Sequence, residues 1–324
     1  MKRLVYMVLL LGGFLLEGYS QQTPVYSQYM LNGFLVNPAI AGSEGYAAIN
    51  LTVREQWVGF QEAPATYALS FQTRLLRETH ISRKKSVKRN PKSPFSGGNV
   101  GLGGYIFNHR NGAVDRTGIR LTYAYHLELK EAQLSFGLSM IGYQYRVDKD
   151  RVKLEFPDDD DLWLGLQESV FIPDADAGVY YTAKNIWAGF SVDQLFESAL
   201  KFGGDGYDQL VMERNYHLMG GYDFTINDDM ILSPSTHLKI AENGKVQADI
   251  NGKFYYKQSY WGGITYRTGH SIIVMAGVSV DRLVFGYAFD IGLNSIMKHS
   301  YGTHEFTFIA KLGDHTRRHR WLSR

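Results

Sequence analysis

From about Gly45 onward, apolar and polar residues alternate along the chain. Ile119, Leu121, Tyr123, Tyr125, Leu127 and Leu129 share one parity, and Arg120, Thr122, Ala124, His126 and Glu128 share the other. Leu134, Phe136, Leu138 and Met140 likewise oppose Ser135, Gly137 and Ser139. Near the C-terminus, Leu283, Phe285, Tyr287, Phe289, Ile291 and Leu293 oppose Val284, Gly286, Ala288, Asp290, Gly292 and Asn294. Successive side chains of an extended chain point to opposite faces, so each segment predicts a strand with one apolar face. No segment sustains a helical period, and the predicted class is all-β.

Fourteen such segments can be placed, near 45–53, 64–75, 99–108, 117–130, 132–146, 174–183, 186–194, 215–226, 230–240, 246–257, 259–268, 271–281, 282–293 and 303–313. Many are close to the 9–11 residues, roughly, that a tilted strand needs to cross a bilayer, whereas the mean soluble strand has about five or six. The face opposite the apolar one carries Arg120, His126, Glu128, Asp249, Lys253 and Asp290 among small residues, as a wet lumen would. Tyr143, Tyr145, Tyr180, Tyr181, Trp187, Tyr255, Tyr256, Tyr260 and Trp261 stand near strand ends and predict interfacial girdles. Together these features predict a transmembrane outer-membrane β-barrel of about 14 antiparallel strands rather than a soluble sandwich. Arginine at Leu121 or Leu138 is then expected to cost more than arginine at Thr122 or Ser139. Pro234 falls inside one segment and predicts a bulge.

Loop lengths suggest an orientation. Lys130–Glu131, Lys184–Asn185, Asn227–Asp229, Lys257–Gln258 and Asp281–Arg282 are tight connections on one side, read as periplasmic. The long connections 147–173 and 195–214 fall on the other. Residues 76–98 break the pattern by being long on the tight side.

Composition narrows the class further. The 324 residues are 44% hydrophobic and 14% aromatic, with 34 Gly, 8 Pro and no Cys. Such an aromatic load excludes disorder, and the missing cysteine excludes disulfides, thiolate metal sites and a lipoprotein anchor. Lys2 and Arg3 precede an apolar run, Leu4 to Leu16, followed by Gly18 and Ser20, which predicts a signal peptide over residues 1–20. The remaining organisation is an N-terminal segment over 21–44, a barrel over 45–313 and a basic periplasmic tail over 314–324. Residues 21–44 are expected to pack in the lumen or over one rim.

Little in the chain reads as chemistry. Asp158, Asp159, Asp160 and Asp161 lack the ligand spacing of a calcium loop. Gly189-Phe190-Ser191-Val192-Asp193 lacks the second glycine of a nucleophile elbow, and no HExxH pattern occurs. No enzyme, cofactor or metal site is expected. Residues 74–92 hold Arg74, Arg77, Arg83, Lys84, Lys85, Lys88, Arg89 and Lys92 against Glu78 alone, in a chain of net charge +2. Without interleaved aromatics this is no nucleic-acid site. Arg83, Lys84, Lys85, Lys88 and Arg89 are instead expected to form a docking arm for an acidic periplasmic partner, with lipid headgroups as the rival surface.

The block Tyr26-Ser27-Gln28-Tyr29-Met30-Leu31-Asn32 leads to Asn37-Pro38-Ala39-Ile40-Ala41-Gly42-Ser43. Arg54-Glu55-Gln56-Trp57-Val58-Gly59-Phe60 and Ala63-Pro64-Ala65-Thr66-Tyr67 follow. Together they resemble the PorP/SprF family of outer-membrane proteins from Bacteroidota. The fragments Pro173-Asp174-Ala175-Asp176-Ala177-Gly178, Gly286-Tyr287-Ala288-Phe289-Asp290 and Gly302-Thr303-His304-Glu305 extend the resemblance along nearly the whole mature chain. The basic stretch and the tail Arg317-Arg318-His319-Arg320 depart from it. The resemblance implies a non-enzymatic component of the type IX secretion system, in some relatives tied to gliding motility. Its implied partners are periplasmic ring lipoproteins and secreted cargo or an adhesin, beside outer-membrane lipid. A passive porin or substrate channel is the alternative. Tyr26, Gln28, Tyr29, Asn37, Arg54, Gln56 and Trp57 are expected to pack together.

Overall fold

The computed structural model describes residues 26–75, 99–148, 151, 169–197, 199–200, 210–269, 271–293 and 300–312. The expected signal peptide, the docking-arm residues Arg83, Lys84, Lys85, Lys88 and Arg89, the acidic run 158–161 and the basic tail lie outside these residues.

The first seven strands are β1 (Ala47–Glu55), β2 (Ala65–Leu75), β3 (Val100–Asn111), β4 (Val114–Glu128), β5 (Ala132–Val147), β6 (Ser169–Ala183) and β7 (Ile186–Asp193). A two-residue pair, β8 (Ala199–Leu200) and β9 (Leu210–Val211), stands apart from the main sheet. Then come β10 (Asn215–Tyr222) and β11 (Phe224–Asn227), which form one stave broken at Asp223. Six more complete the chain: β12 (Met230–Ala241), β13 (Val246–Tyr256), β14 (Tyr260–Arg267), β15 (Ser271–Val280), β16 (Leu283–Gly292) and β17 (Thr303–Leu312). Each stave pairs antiparallel with its neighbours in sequence, β10 bridges β7 to β12, and β1 pairs with β17 from Ala47↔Leu312 to Glu55↔His304. The sheet is therefore a closed barrel of fourteen staves, which leaves no unpaired edge.

All fourteen predicted strands are present, with their alternation converted into two faces. Leu121, Leu138 and Met140 are 63%, 62% and 76% exposed on the outside, while Arg120, Thr122, Ala124 and His126 are buried inside. A belt of exposed apolar side chains on a closed barrel is stable only against hydrocarbon. Leu138→Arg near the middle of β5 should therefore cost about 2–4 kcal/mol of stability in lipid vesicles, measured by urea titration. An unchanged urea midpoint would mean that this face does not meet lipid.

Four expectations need correction. Thr122 and Ser139 do not face open water: their hydroxyls bond at 2.7 Å and both residues are buried, so arginine there would displace packed atoms rather than find solvent. Pro234 makes no bulge. It pairs with Gly252 in unbroken register, and the opposite ladder simply lapses between Gly221↔Ser235 and Phe224↔Leu232, where a residue without an N–H has least to lose. The register shift lies instead at Thr225/Asn227. Tyr143, Tyr145, Tyr180, Trp187, Tyr255 and Trp261 belong to no outer girdle, because they share the parity of the inward faces of β5, β6, β7, β13 and β14; Tyr181, Tyr256 and Tyr260 do face outward. Finally, β6 begins at Ser169, ahead of Asp174, since pairing to the long β5 carries it through Pro173↔Gly142.

The barrel has two distinguishable ends. At the terminal end β1 starts, β17 finishes, and β2 and β3 meet at Leu75↔Val100. The five tight connections also lie there. The far end carries the connections 148–168 and 194–214.

Candidate functional site

The lumen is occupied by the chain's own N-terminal segment, and this is the site. Tyr26 to Ser43 is a string of turns, because Asn, Gly and Pro recur at short intervals and leave no run long enough for a helix or strand. Two 3-10 turns, Gly33–Leu35 and Pro38–Ile40, give it shape. Asn37 starts the second, its Oδ1 accepting from Ala39 N at 2.9 Å, with Pro38 at the first helical position.

The segment runs from the far end to the terminal end. Its start is held by a buried ionic cluster. Arg54, next to last in β1, pairs with Asp290 of β16 at 2.8 Å and with Glu305 of β17 at 3.0 Å. Ser27 donates from its backbone N–H to Glu305 Oε2 at 2.7 Å and from its hydroxyl to Asp290 at 2.8 Å, and its Oγ also accepts from Arg54. Gln28 N–H takes the other Glu305 oxygen at 2.8 Å. Arg267 of β14, bound to Asp249 at 2.8 Å, reaches the Tyr26 carbonyl at 3.3 Å.

Contacts continue down the lumen on several staves. Asn32 donates to Ser70 of β2 at 3.0 Å. Arg120 of β4 donates to the Leu35 carbonyl at 3.2 Å while pairing with Asp176 of β6 at 2.6 Å. Ser191 of β7 donates to Val36 O at 2.8 Å, and Asn37 Nδ2 reaches Val179 O at 3.0 Å. At the terminal end His126 Nε2 donates to Ala41 O at 3.0 Å, with Nδ1 facing Ser135 Oγ at 2.8 Å. Gln133 donates to Ser43 O at 3.3 Å.

Close approach explains two of the strand glycines. A Cβ on Gly137 of β5 would lie 2.3 Å from Ala39 N, and one on Gly101 of β3 would lie 1.9 Å from Ala41 O. The wall touches the segment backbone to backbone, which only glycine permits.

Of the residues picked out by sequence, Tyr26, Ser27, Gln28, Tyr29, Asn37, Pro38 and Arg54 converge in the lumen. Gln56, Trp57, Gly59 and Phe60 do not join them. They form the far-end connection between β1 and β2, where Gln56 N–H bonds Pro64 O at 2.8 Å and Trp57 N–H bonds Thr303 Oγ1 at 3.2 Å. Trp57 turns that corner with φ 49°, and Phe60 is 41% exposed. The joint role of Glu305, Asp290, Arg267 and Asp176 was not singled out. Their signal was present, since each is a charge at a position of inward parity.

A family model described as type IX secretion system membrane protein PorP/SprF matches residues 18–309. No curated protein sequence matches the chain. Among solved structures, the Pseudomonas putida toluene transporter TodX is similar at 11% identity and TM-score 0.45, over 91% of this chain and 98% of that one. The Acinetobacter baumannii outer membrane protein Omp33 is similar at 8% identity and TM-score 0.43, over 83% of this chain and 98% of that one.

Proposed function

Because the chain belongs to the PorP/SprF family of type IX secretion system membrane proteins, we propose that it acts there as a plugged, non-enzymatic outer-membrane barrel. On this reading its work is done by its two rims rather than through its lumen. The observation that carries it is the N-terminal segment, bound to staves on all sides by the Arg54–Asp290–Glu305 cluster and by wall groups such as Arg120 and His126. A protein or solute passing through the barrel would have to break those buried contacts. A passive porin would instead leave its inward charges to water.

The terminal end is read as periplasmic and the far end as facing outward, from the tight connections of the first and the longer connections of the second. The segment 76–98 leaves β2 at Leu75 and returns to β3 at Val100, so its attachment points are at the terminal end. Arg83, Lys84, Lys85, Lys88 and Arg89 would thus meet an acidic surface of the periplasmic ring lipoproteins, with attraction reaching about a Debye length, roughly 8–10 Å. Secreted cargo, or an adhesin in motile relatives, would be served at the outer rim.

Charge reversal of these five residues tests the docking role. Pull-down of ring lipoproteins should fall while barrel insertion, read by heat-modifiable gel migration, stays normal. Should the reversed chain retain its partners and still support secretion, the arm has no docking role.

A further inference from the structure

The outer wall of the barrel is almost free of charge, and its two bases stand together. Among the described strand residues of outward parity, Arg110 and Arg146 are the only lysines or arginines. They share one level near the far end, because Asp115 of β4 pairs with Arg110 of β3 on one side and with Arg146 of β5 on the other. Their direction follows from their neighbours. Phe107 and Tyr145, of opposite parity, pack in the lumen cluster, whereas Ile106 and Met140 are exposed on the wall.

Cross-strand neighbours of opposite charge ordinarily attract. In the lumen Arg54, Arg74, Arg120 and Arg267 are each matched to a carboxylate. Arg110 and Arg146 are not: neither makes an ion pair or a side-chain hydrogen bond among the described residues, and the shielded Nε of Arg110 has no partner. Their donors are unspent although a carboxylate lies between them.

The rows beneath set their height. Ile106 and Ile119 face each other as an exposed apolar row. The next outward row holds Asn108 and Thr117, hydrogen-bonded at 2.9 Å, with Gln144 beside them. The arginine row follows, roughly 10 Å beyond the apolar one along the axis of a barrel with tilted strands. A lipid headgroup layer is about 5–8 Å deep on each side of the hydrocarbon, and a side chain as long as arginine reaches back into it. Apolar groups, then amide and hydroxyl, then guanidinium match the order of acyl chain, linkage and phosphate in a lipid. Two strand spacings put the arginine backbones roughly 9–10 Å apart, close enough for both guanidinium groups to converge on one phosphate.

We propose that Arg110 and Arg146 bind the phosphate of a lipid headgroup in the leaflet at the far end. With that end read as facing outward, the lipid is a phosphorylated glycolipid of the outer leaflet. The choice of leaflet rests on that reading; the site does not.

Native mass spectrometry of the full-length barrel in detergent micelles, titrated with diphosphoryl lipid A and with its dephosphorylated form, tests the site. Wild type should bind the phosphorylated lipid about tenfold or more tightly, the equivalent of a single charge-assisted hydrogen bond. The double variant Arg110→Gln/Arg146→Gln should lose that preference, and Asp115→Asn, which removes a competing carboxylate, should increase it. Heat-modifiable migration checks folding, and the wild-type ratio decides by itself for any variant that does not fold. Equal binding of the two lipids to wild type, or an unchanged preference in the folded double variant, overturns the proposal. So does displacement of the lipid by an equal concentration of inorganic phosphate, which would mark a free-anion site. Secretion does not enter the readout, so failure here leaves the proposed function standing.

Discussion

Glu305→Ala is expected to destabilise the folded barrel by about 3–5 kcal/mol, among the largest effects of any single wall substitution. Glu305 is fully buried, and its two oxygens hold the Ser27 N–H, the Gln28 N–H and the Arg54 guanidinium. Removing it leaves Arg54 with Asp290 as its remaining carboxylate and strands two backbone donors away from water. The surface pair Arg151–Glu62, with side chains 30% and 43% exposed, is the natural control. Glu62→Ala should cost under about 1 kcal/mol, because exposed charges are already solvated. Urea unfolding in lipid vesicles separates the two cases. If both variants unfold at the same urea concentration, the cluster does not anchor the segment. Limited proteolysis supplies a second readout, since Glu305→Ala should expose the Tyr26–Ser43 stretch to cleavage sooner than Glu62→Ala.

The geometry also constrains assembly. The segment enters at the far end, yet β1 begins at the terminal end, so the chain reverses between Ser43 and Ala47 and climbs back as the first stave. Both ends of the barrel sheet meet at the terminal end, but Tyr26 does not. Closure of β1 on β17 brings Glu305 and Arg54 together, as Arg54↔Glu305 is itself a cross-strand pair. Seating the segment and closing the barrel are thus linked through the same two side chains.

Most of the fold was legible because lipid enforces a clean rule. Every stave must show apolar side chains outward, so alternation such as Leu134, Phe136, Leu138 and Met140 survives in the sequence almost without exception. The interior obeys no such simple rule. Charges facing water and charges facing a buried plug have the same parity, and Arg120, Asp290 and Asp249 read alike in either case. The aromatic girdle failed for a related reason: Tyr143 and Trp261 lie near strand ends, and only their odd positions reveal that they face inward, against Arg116 and Lys253. Arg54-Glu55-Gln56-Trp57 looked like one unit, but a strand ends inside it, sending Arg54 into the lumen and Trp57 to the rim. The strand glycines carried the best unread signal. Gly101 and Gly137 sit on the inward face, where backbone of the N-terminal segment lies too close for a Cβ.

A permanently filled lumen is the central claim, and ion conductance tests it most directly. Wild-type protein and a variant lacking residues 22–43 would be inserted into planar lipid bilayers at equal protein density. Removing the segment deletes every contact described between Ser27, Asn32, Asn37 or Ala41 and the wall, while the fourteen-stave ladder stays closed on itself. The account predicts that wild type passes no steady current and that the shortened chain opens stable, voltage-independent channels, with a lowered urea midpoint. Steady wild-type conductance that the deletion leaves unchanged would contradict it.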